Sequence, residues 1–215
     1  MTNRSGSQRG LGLVELMVGL AVMAMALGYA LPSFADWLRN ARVRNAALAV
    51  QGGLQFAQAE AARRNQLVRF QFTSTQDASC QLQATGPHWL VSLSVADGSG
   101  QSTSPAGACG QAIADTNAPY VLQRSPALPA NSTLSMVGST ALIGFDGLGR
   151  LNSLGGQAVT TGLTVNVGSS DGTCAAAGGT VRCLRVQVSS AGEVQLCDPA
   201  RSDTTDPMSC PTTSN

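Results

Sequence analysis

Six cysteines, one histidine and one isolated carboxylate are the residues of this chain with the most constrained chemistry. The cysteines are Cys80, Cys109, Cys174, Cys183, Cys197 and Cys210, all downstream of a long apolar run. None forms C-x-x-C, and His88 is the only histidine, so a zinc site is poorly supplied and no metal is expected. An even count after an export-type segment reads as disulfides in an oxidising compartment. Nearest-neighbour pairing gives Cys80–Cys109, Cys174–Cys183 and Cys197–Cys210; free buried thiols are the alternative. His88, in "GPHWL", is the only candidate for histidine acid–base chemistry, and no nucleophile elbow accompanies it. It reads as a strand-edge or loop residue beside Trp89. "GFDGLG" lacks the Lys-Ser/Thr of a phosphate loop and reads as a tight turn. "SSDGT" has too few carboxylates around Asp171 for calcium. The sequence therefore points away from an enzyme, and no cofactor is expected.

The isolated carboxylate is Glu15, in "RGLGLVELMVGLAVMAMALGYALPSF". Residues 1–10 are polar and carry Arg4 and Arg9, and basic residues before a span keep that end cytoplasmic. From Leu11 to Leu31 Glu15 is the only charge, and the run covers about 30 Å as a helix, one bilayer core. Three readings compete. A cleaved signal peptide has its n-region and h-region, and small-residue sites in "AMALGYA", but leaves Glu15 without a purpose. A plain signal anchor leaves it equally unexplained. In the third, a leader ending at Gly10 is cut on the cytoplasmic side and the apolar segment stays.

"RG-LGLVE" resembles the type IV prepilin signal: a short basic leader ending in Gly, an apolar first mature residue and Glu as the fifth. Gly10, Leu11 and Glu15 match residue by residue, with Leu11 where Phe is usual. The resemblance implies cleavage between Gly10 and Leu11 by prepilin peptidase, N-methylation of Leu11, and Glu15 as an assembly residue. Pro32 resembles the helix kink common in pilins. The physics agrees. When apolar helices leave lipid to pack together, the Glu15 carboxylate can meet the freed amine of a neighbour, and either group unpaired in low dielectric is costly.

These residues need elements to hold them. "DWLRNARVRNAALAVQGGLQFAQAEAARRNQ" is rich in helix formers, so one helix is expected from about Leu11 to Gln66, about 80 Å long. Leu38, Ala41, Leu48, Ala49, Phe56 and Ala59 are expected to form its apolar stripe. Pro32 should kink it, and Gly52-Gly53 is a second weak point. Arg39, Arg42 and Arg44, like Arg63-Arg64, read as a solvated face or as partners of acidic residues on a neighbour. The expected organisation is a leader over 1–10, a transmembrane and filament-core helix over 11–31, its continuation over 32–66 and an exported β-rich domain over 67–215.

Beyond Gln66 the pattern changes to short alternating runs: "LVRFQF", "HWLVSLSV", "YVLQR", "TLSMV", "LTVNV", "VRCLRVQV" and "EVQLC". Turn signals separate them, and Ala96 to Thr116 reads as a long loop tethered by Cys109. "ALIGFDGLGRL" resembles the F-x-x-x-G-R strand–turn–strand of the FimT/FimU/GspH-like type IV minor pilins and pseudopilins. "LRVQVSSAGEVQLCDP…DPMSC" resembles their C-terminal hairpin and cysteine-closed tail. That family implies an α+β, pilin-like fold: a long N-terminal helix, transmembrane in its first half, packed on a mostly antiparallel sheet domain. It implies a single-pass inner-membrane subunit with a periplasmic head, later part of a pilus or pseudopilus. Its partners are other pilins or pseudopilins and the inner-membrane assembly platform. A minor pilin contributing to assembly, twitching motility or DNA uptake is the first reading; a GspH-like pseudopilin of type II secretion is the close alternative. A third reading is a DNA-binding pilus subunit. Members that capture DNA carry a G-R-x-R-like pattern in the last hairpin, where this chain has Glu193 and Gln195. With charged residues only 12% of the chain and a net charge of +1, nucleic acid is not an expected partner.

Overall fold

The computed structural model describes residues 12–96, 103–129, 131–152 and 162–211. Gly10 and Leu11 lie outside the described residues. One helix, α1 (Leu13–Arg64), carries the N-terminal third. It belongs to two compact units, one ending at Leu38 and one beginning at Arg39. Pro32 lies inside α1, and the helix continues past it.

The second part of α1 buries a different face from the one expected. Its buried residues are Val43, Ala46, Ala47, Val50, Leu54, Ala57 and Ala61. At about 100° per residue these form one narrow stripe. The expected set (Leu38, Ala41, Leu48, Ala49, Phe56, Ala59) is centred on roughly the opposite side, where Leu48 and Ala59 are exposed, although Ala49 and Phe56 still pack partly against the core. Small side chains were the better guide than large ones, because they let the helix axis approach a sheet closely. Gly53 marks the nearest approach: a Cβ there would sit 2.6 Å from the Trp89 ring.

Among the described residues nine strands follow: β1 (Val68–Thr73), β2 (His88–Leu93), β3 (Val121–Arg124), β4 (Leu134–Gly138), β5 (Leu142–Phe145), β6 (Leu151–Asn152), β7 (Leu163–Ser169), β8 (Leu184–Val188) and β9 (Val194–Cys197). They form two sheets, ordered β3-β2-β1-β5-β6 and β4-β7-β8-β9. Every strand pair is antiparallel. This is the expected α+β arrangement, a long N-terminal helix with an antiparallel sheet domain, here built of two sheets. Val68, Phe70, Phe72, Trp89 and Ile143 of the first sheet and Val165, Val167, Val186 and Val188 of the second join the α1 stripe in one core. Phe70 stacks on Trp89 with ring centroids 5.2 Å apart.

The F-x-x-x-G-R stretch forms the β5–β6 turn. The Asp146 carboxylate accepts from the backbone N–H of Leu148 and of Arg150, which closes the turn. Gly149 adopts φ +75°, a left-handed conformation that favours glycine. Its carbonyl accepts a 2.9 Å hydrogen bond from Gln58 Nε2 of α1, so the motif fastens the hairpin to the helix.

Cys80–Cys109, Cys174–Cys183 and Cys197–Cys210 are bonded. Cys109 ties the long loop down against Leu90, beneath which the first sheet runs. The strand expected from Val181 begins only at Leu184, because Val181 bridges to Cys174 within the second disulfide loop.

Near the end of α1, Glu60 accepts hydrogen bonds from Arg63 and Arg64, and Arg64 also binds Asp115 across the fold. The hydrogen bond from Arg63 holds the Glu60 carboxyl down at about 2 from an ordinary 4.5; burial opposes it, and Arg64 adds to the lowering. A depressed carboxyl stabilises the folded state above its unfolded value and loses that contribution as pH falls towards the folded one. Glu60→Gln should therefore lower the unfolding midpoint at pH 7, with the gap to wild type shrinking below pH 4.5 and closing near pH 2. A gap independent of pH in thermal melts would contradict the ion-pair origin.

Candidate assembly surface

The first unit carries the surface most in need of a partner. Leu13, Val14, Leu16, Met17, Val18, Leu20, Val22, Met23, Met25 and Leu27 are each more than half exposed. They face outward all round, since apolar residues occupy nearly every position from Leu13 to Leu27. Among the described residues this is the one helix long and apolar enough to cross a membrane. Glu15 sits in its first turn, exposed among those side chains, with its backbone N–H donating to the Gly12 carbonyl at 3.0 Å. A carboxylate near a helix N-terminus is favoured by the helix dipole.

Arg42 and Arg44 are exposed on α1, as the solvated-face reading expects. Asn40 anchors the same stretch: its Oδ1 accepts from the Arg182 N–H at 2.8 Å and its amide donates to the Thr180 carbonyl. His88 is half-buried at the start of β2, and burial pushes its imidazole below the ordinary value. No group of His, Cys, Asp and Glu among the described residues is arranged to hold a metal.

The last hairpin, β8–β9, presents Glu193 exposed beside its turn and Gln195 half-buried in β9. Arg185 on β8 is engaged by Asn166 at 2.8 Å, and Arg201 pairs with Asp206 and with Asp198. The nearby arginines are thus held by neighbours rather than fanned out as a phosphate-binding row.

The sequence matches the family model described as Type II transport protein GspH over residues 46–192, well over half of the chain. The chain belongs to the GspH family. It also matches the prokaryotic N-terminal methylation motif over residues 5–31. Two crystal structures of the type IV minor pilin FimU of Pseudomonas aeruginosa strain PAO1 are similar to it. One matches at 17% identity and TM-score 0.46, covering 76% of this chain and 93% of that one. The other matches at 16% identity and TM-score 0.43, covering 75% and 97%. No curated protein sequence matches the chain. This GspH-family chain is a pilin or pseudopilin, a structural rather than catalytic class. Its methylation motif implies processing by prepilin peptidase and assembly with other pilins. The apolar helix fits membrane anchoring before assembly.

The GspH match stops at residue 192, before β9 and the tail that follows it. The tail carries some local order of its own. Asp198 N–H donates to the Met208 carbonyl at 2.7 Å, while Asp203 and Asp206 cap turns at Thr205 and Met208. These local bonds still close a polar loop with little apolar burial, so the covalent link carries much of its order. Replacing Cys197 and Cys210 by Ser should cost roughly 3 kcal/mol in the chain-entropy description. Hydrogen exchange should show the amides of Asp198 and Ser209 losing protection while β7 and β8 keep theirs. Unchanged protection at Asp198 would show that the turns suffice.

Proposed function

We propose that this chain is a minor subunit of a type IV pilus, built into the filament from the inner membrane with its head in the periplasm. The observation that carries the reading is Glu15, the lone charge within the apolar run Leu13 to Leu27 of α1, which is exposed on all sides. Prepilin peptidase hydrolyses the Gly10–Leu11 amide and frees the Leu11 amine, which is then methylated and stays cationic. The helix over 11–31 rests in the bilayer until the assembly platform draws it into the filament, where apolar faces of neighbouring subunits replace lipid. There the Glu15 carboxylate of one subunit meets the Leu11 amine of another. Only one axial register pairs the two; most others leave a charge buried without a counterion. Pro32 bends the helix as it leaves the bilayer, since a proline inside a helix removes one backbone hydrogen bond and crowds the preceding turn.

A pseudopilin of a type II secretion system is the close alternative, supported by the GspH description of the matching family model. The two share chemistry and differ in what fails when the subunit is lost. Deleting the gene should abolish or sharply reduce surface pili and twitching while leaving secreted proteins at wild-type levels. The reverse pattern would move the assignment to secretion. With Glu193 and Gln195 in the last hairpin, the mature chain should give no appreciable shift of duplex DNA even at low salt, where phosphate contacts are strongest. Tight, salt-sensitive binding lost on neutralising Arg201 would replace this reading with a DNA-binding one.

A further inference from the structure

The strand β1 is buried along its whole length, although its sequence alternates apolar and polar residues. Val68, Phe70 and Phe72 face the helix. Arg69 and Gln71 therefore share the opposite face of the sheet. Ser92 of β2 is the direct cross-strand partner of Arg69, and Leu90 is that of Gln71. Leu90 packs with Cys80 and Cys109, so this face lies under the disulfide-tied loop. On the other side of Arg69 stands Gly144 of β5, which adds no side chain to the layer.

Three polar side chains thus lie together, Arg69 at 4% exposure and Gln71 and Ser92 at 0%. Arg69 Nη2 donates to the Leu93 carbonyl at 3.0 Å and to the Thr103 carbonyl of the loop. Among the described residues, Arg69 Nε, the Gln71 amide nitrogen and oxygen, and Ser92 Oγ have no hydrogen-bond partner. Among the described residues no carboxylate forms an ion pair with Arg69. Native interiors satisfy nearly all such groups, and a buried charge without a counterion is more costly still.

We propose that Arg69, Gln71 and Ser92 form an internal binding site for one small monovalent anion of the chloride class. The guanidinium supplies the charge, and Arg69 Nε–H, the Gln71 amide N–H and the Ser92 hydroxyl supply donors on the same face of the sheet. The sign of the charge excludes a cation. The depth of the site excludes anything larger than a monatomic or similarly compact ion. Desolvation lowers the Arg69 value to about 10, which still leaves it charged at neutral pH. The bound ion would join the sheet to the loop through Arg69, whose Nη2 already holds Thr103.

The test uses the full-length mature chain in nonionic detergent, with sodium chloride as the probe and sodium gluconate holding ionic strength constant. Chloride NMR line width should show saturable broadening, and the thermal midpoint should rise with chloride and level off. Arg69→Met, Gln71→Leu and Ser92→Val should each weaken this dependence, Arg69→Met by on the order of tenfold or more, since a charged donor is lost. Arg44→Met, on the exposed face of α1, should leave it intact. If Arg69→Met does not fold, the wild-type line width and the two neutral variants decide the matter. Absence of saturable broadening in the wild type would overturn the site. Equal broadening in every folded variant would mean an adventitious ion only, and would overturn it as well.

Discussion

Glu15→Ala should be inserted and processed like the wild type and yet be nearly absent from sheared filaments. The span becomes more apolar when the carboxylate is lost, so membrane retention does not suffer. The penalty falls at assembly, where the Leu11 amine of a neighbour enters a low-dielectric bundle with no counterion. Removing one partner of a buried ion pair costs about 3–5 kcal/mol. At 1.4 kcal/mol per factor of ten that is on the order of a hundredfold or more in incorporation. Glu15→Gln separates charge from shape: it keeps the length and a hydrogen-bonding head, and should rescue little. Incorporation of Glu15→Ala at wild-type levels would show that the amine–carboxylate pair does not set the register.

The second large effect distinguishes two adjacent glycines. Gly52 has nothing within 4 Å of where a Cβ would stand, whereas at Gly53 that atom would lie 2.6 Å and 2.7 Å from Trp89 ring carbons and 3.0 Å from Phe70. Trp89 is only 2% exposed and stacks on Phe70, so the ring cannot swing aside. Gly52→Ala should raise stability by about 0.5–1 kcal/mol through helix propensity and lost unfolded-state freedom. Gly53→Ala carries the same propensity gain against an overpacking cost of about 1–3 kcal/mol, and should be a net loss. Gly53→Leu should lose about 3 kcal/mol or more, since the larger side chain must displace the sheet. Denaturant melts of the two alanine variants check this, and a shift of the same sign for both would contradict the close approach.

The two glycines also show where the sequence was readable and where it was not. Both read as weak points in a helix, and nothing in a single sequence says which one the sheet touches. The existence of α1 was legible because apolar and helix-forming residues run unbroken past Pro32. Its buried face was misread in part: Phe56 packs against the core, but Leu48 and Ala59 are exposed, and the face is centred on Val43, Ala47, Val50 and Ala57. Strands β1, β2, β7 and β8 were legible from alternation. The division into two sheets was not, since alternation marks a face without naming its neighbour. Nor does alternation say that the face carrying Arg69 and Gln71 is interior, which follows from the cover held down by Cys80–Cys109. For assembly the position is different. Gly10, Leu11 and Glu15 carry their meaning in spacing along the chain, so the sequence speaks for them more directly than the folded head does.

The most direct test of the whole account is the mass of the mature N-terminal peptide from protein recovered in the membrane and filament fractions. The account predicts a chain that begins at Leu11, heavier by one methyl group on its amine. An N-terminus at Gly28 or Leu31 would mean ordinary signal-peptide cleavage and loss of the apolar helix. An uncleaved Met1 would mean a simple anchor, and either result would contradict the filament-subunit reading.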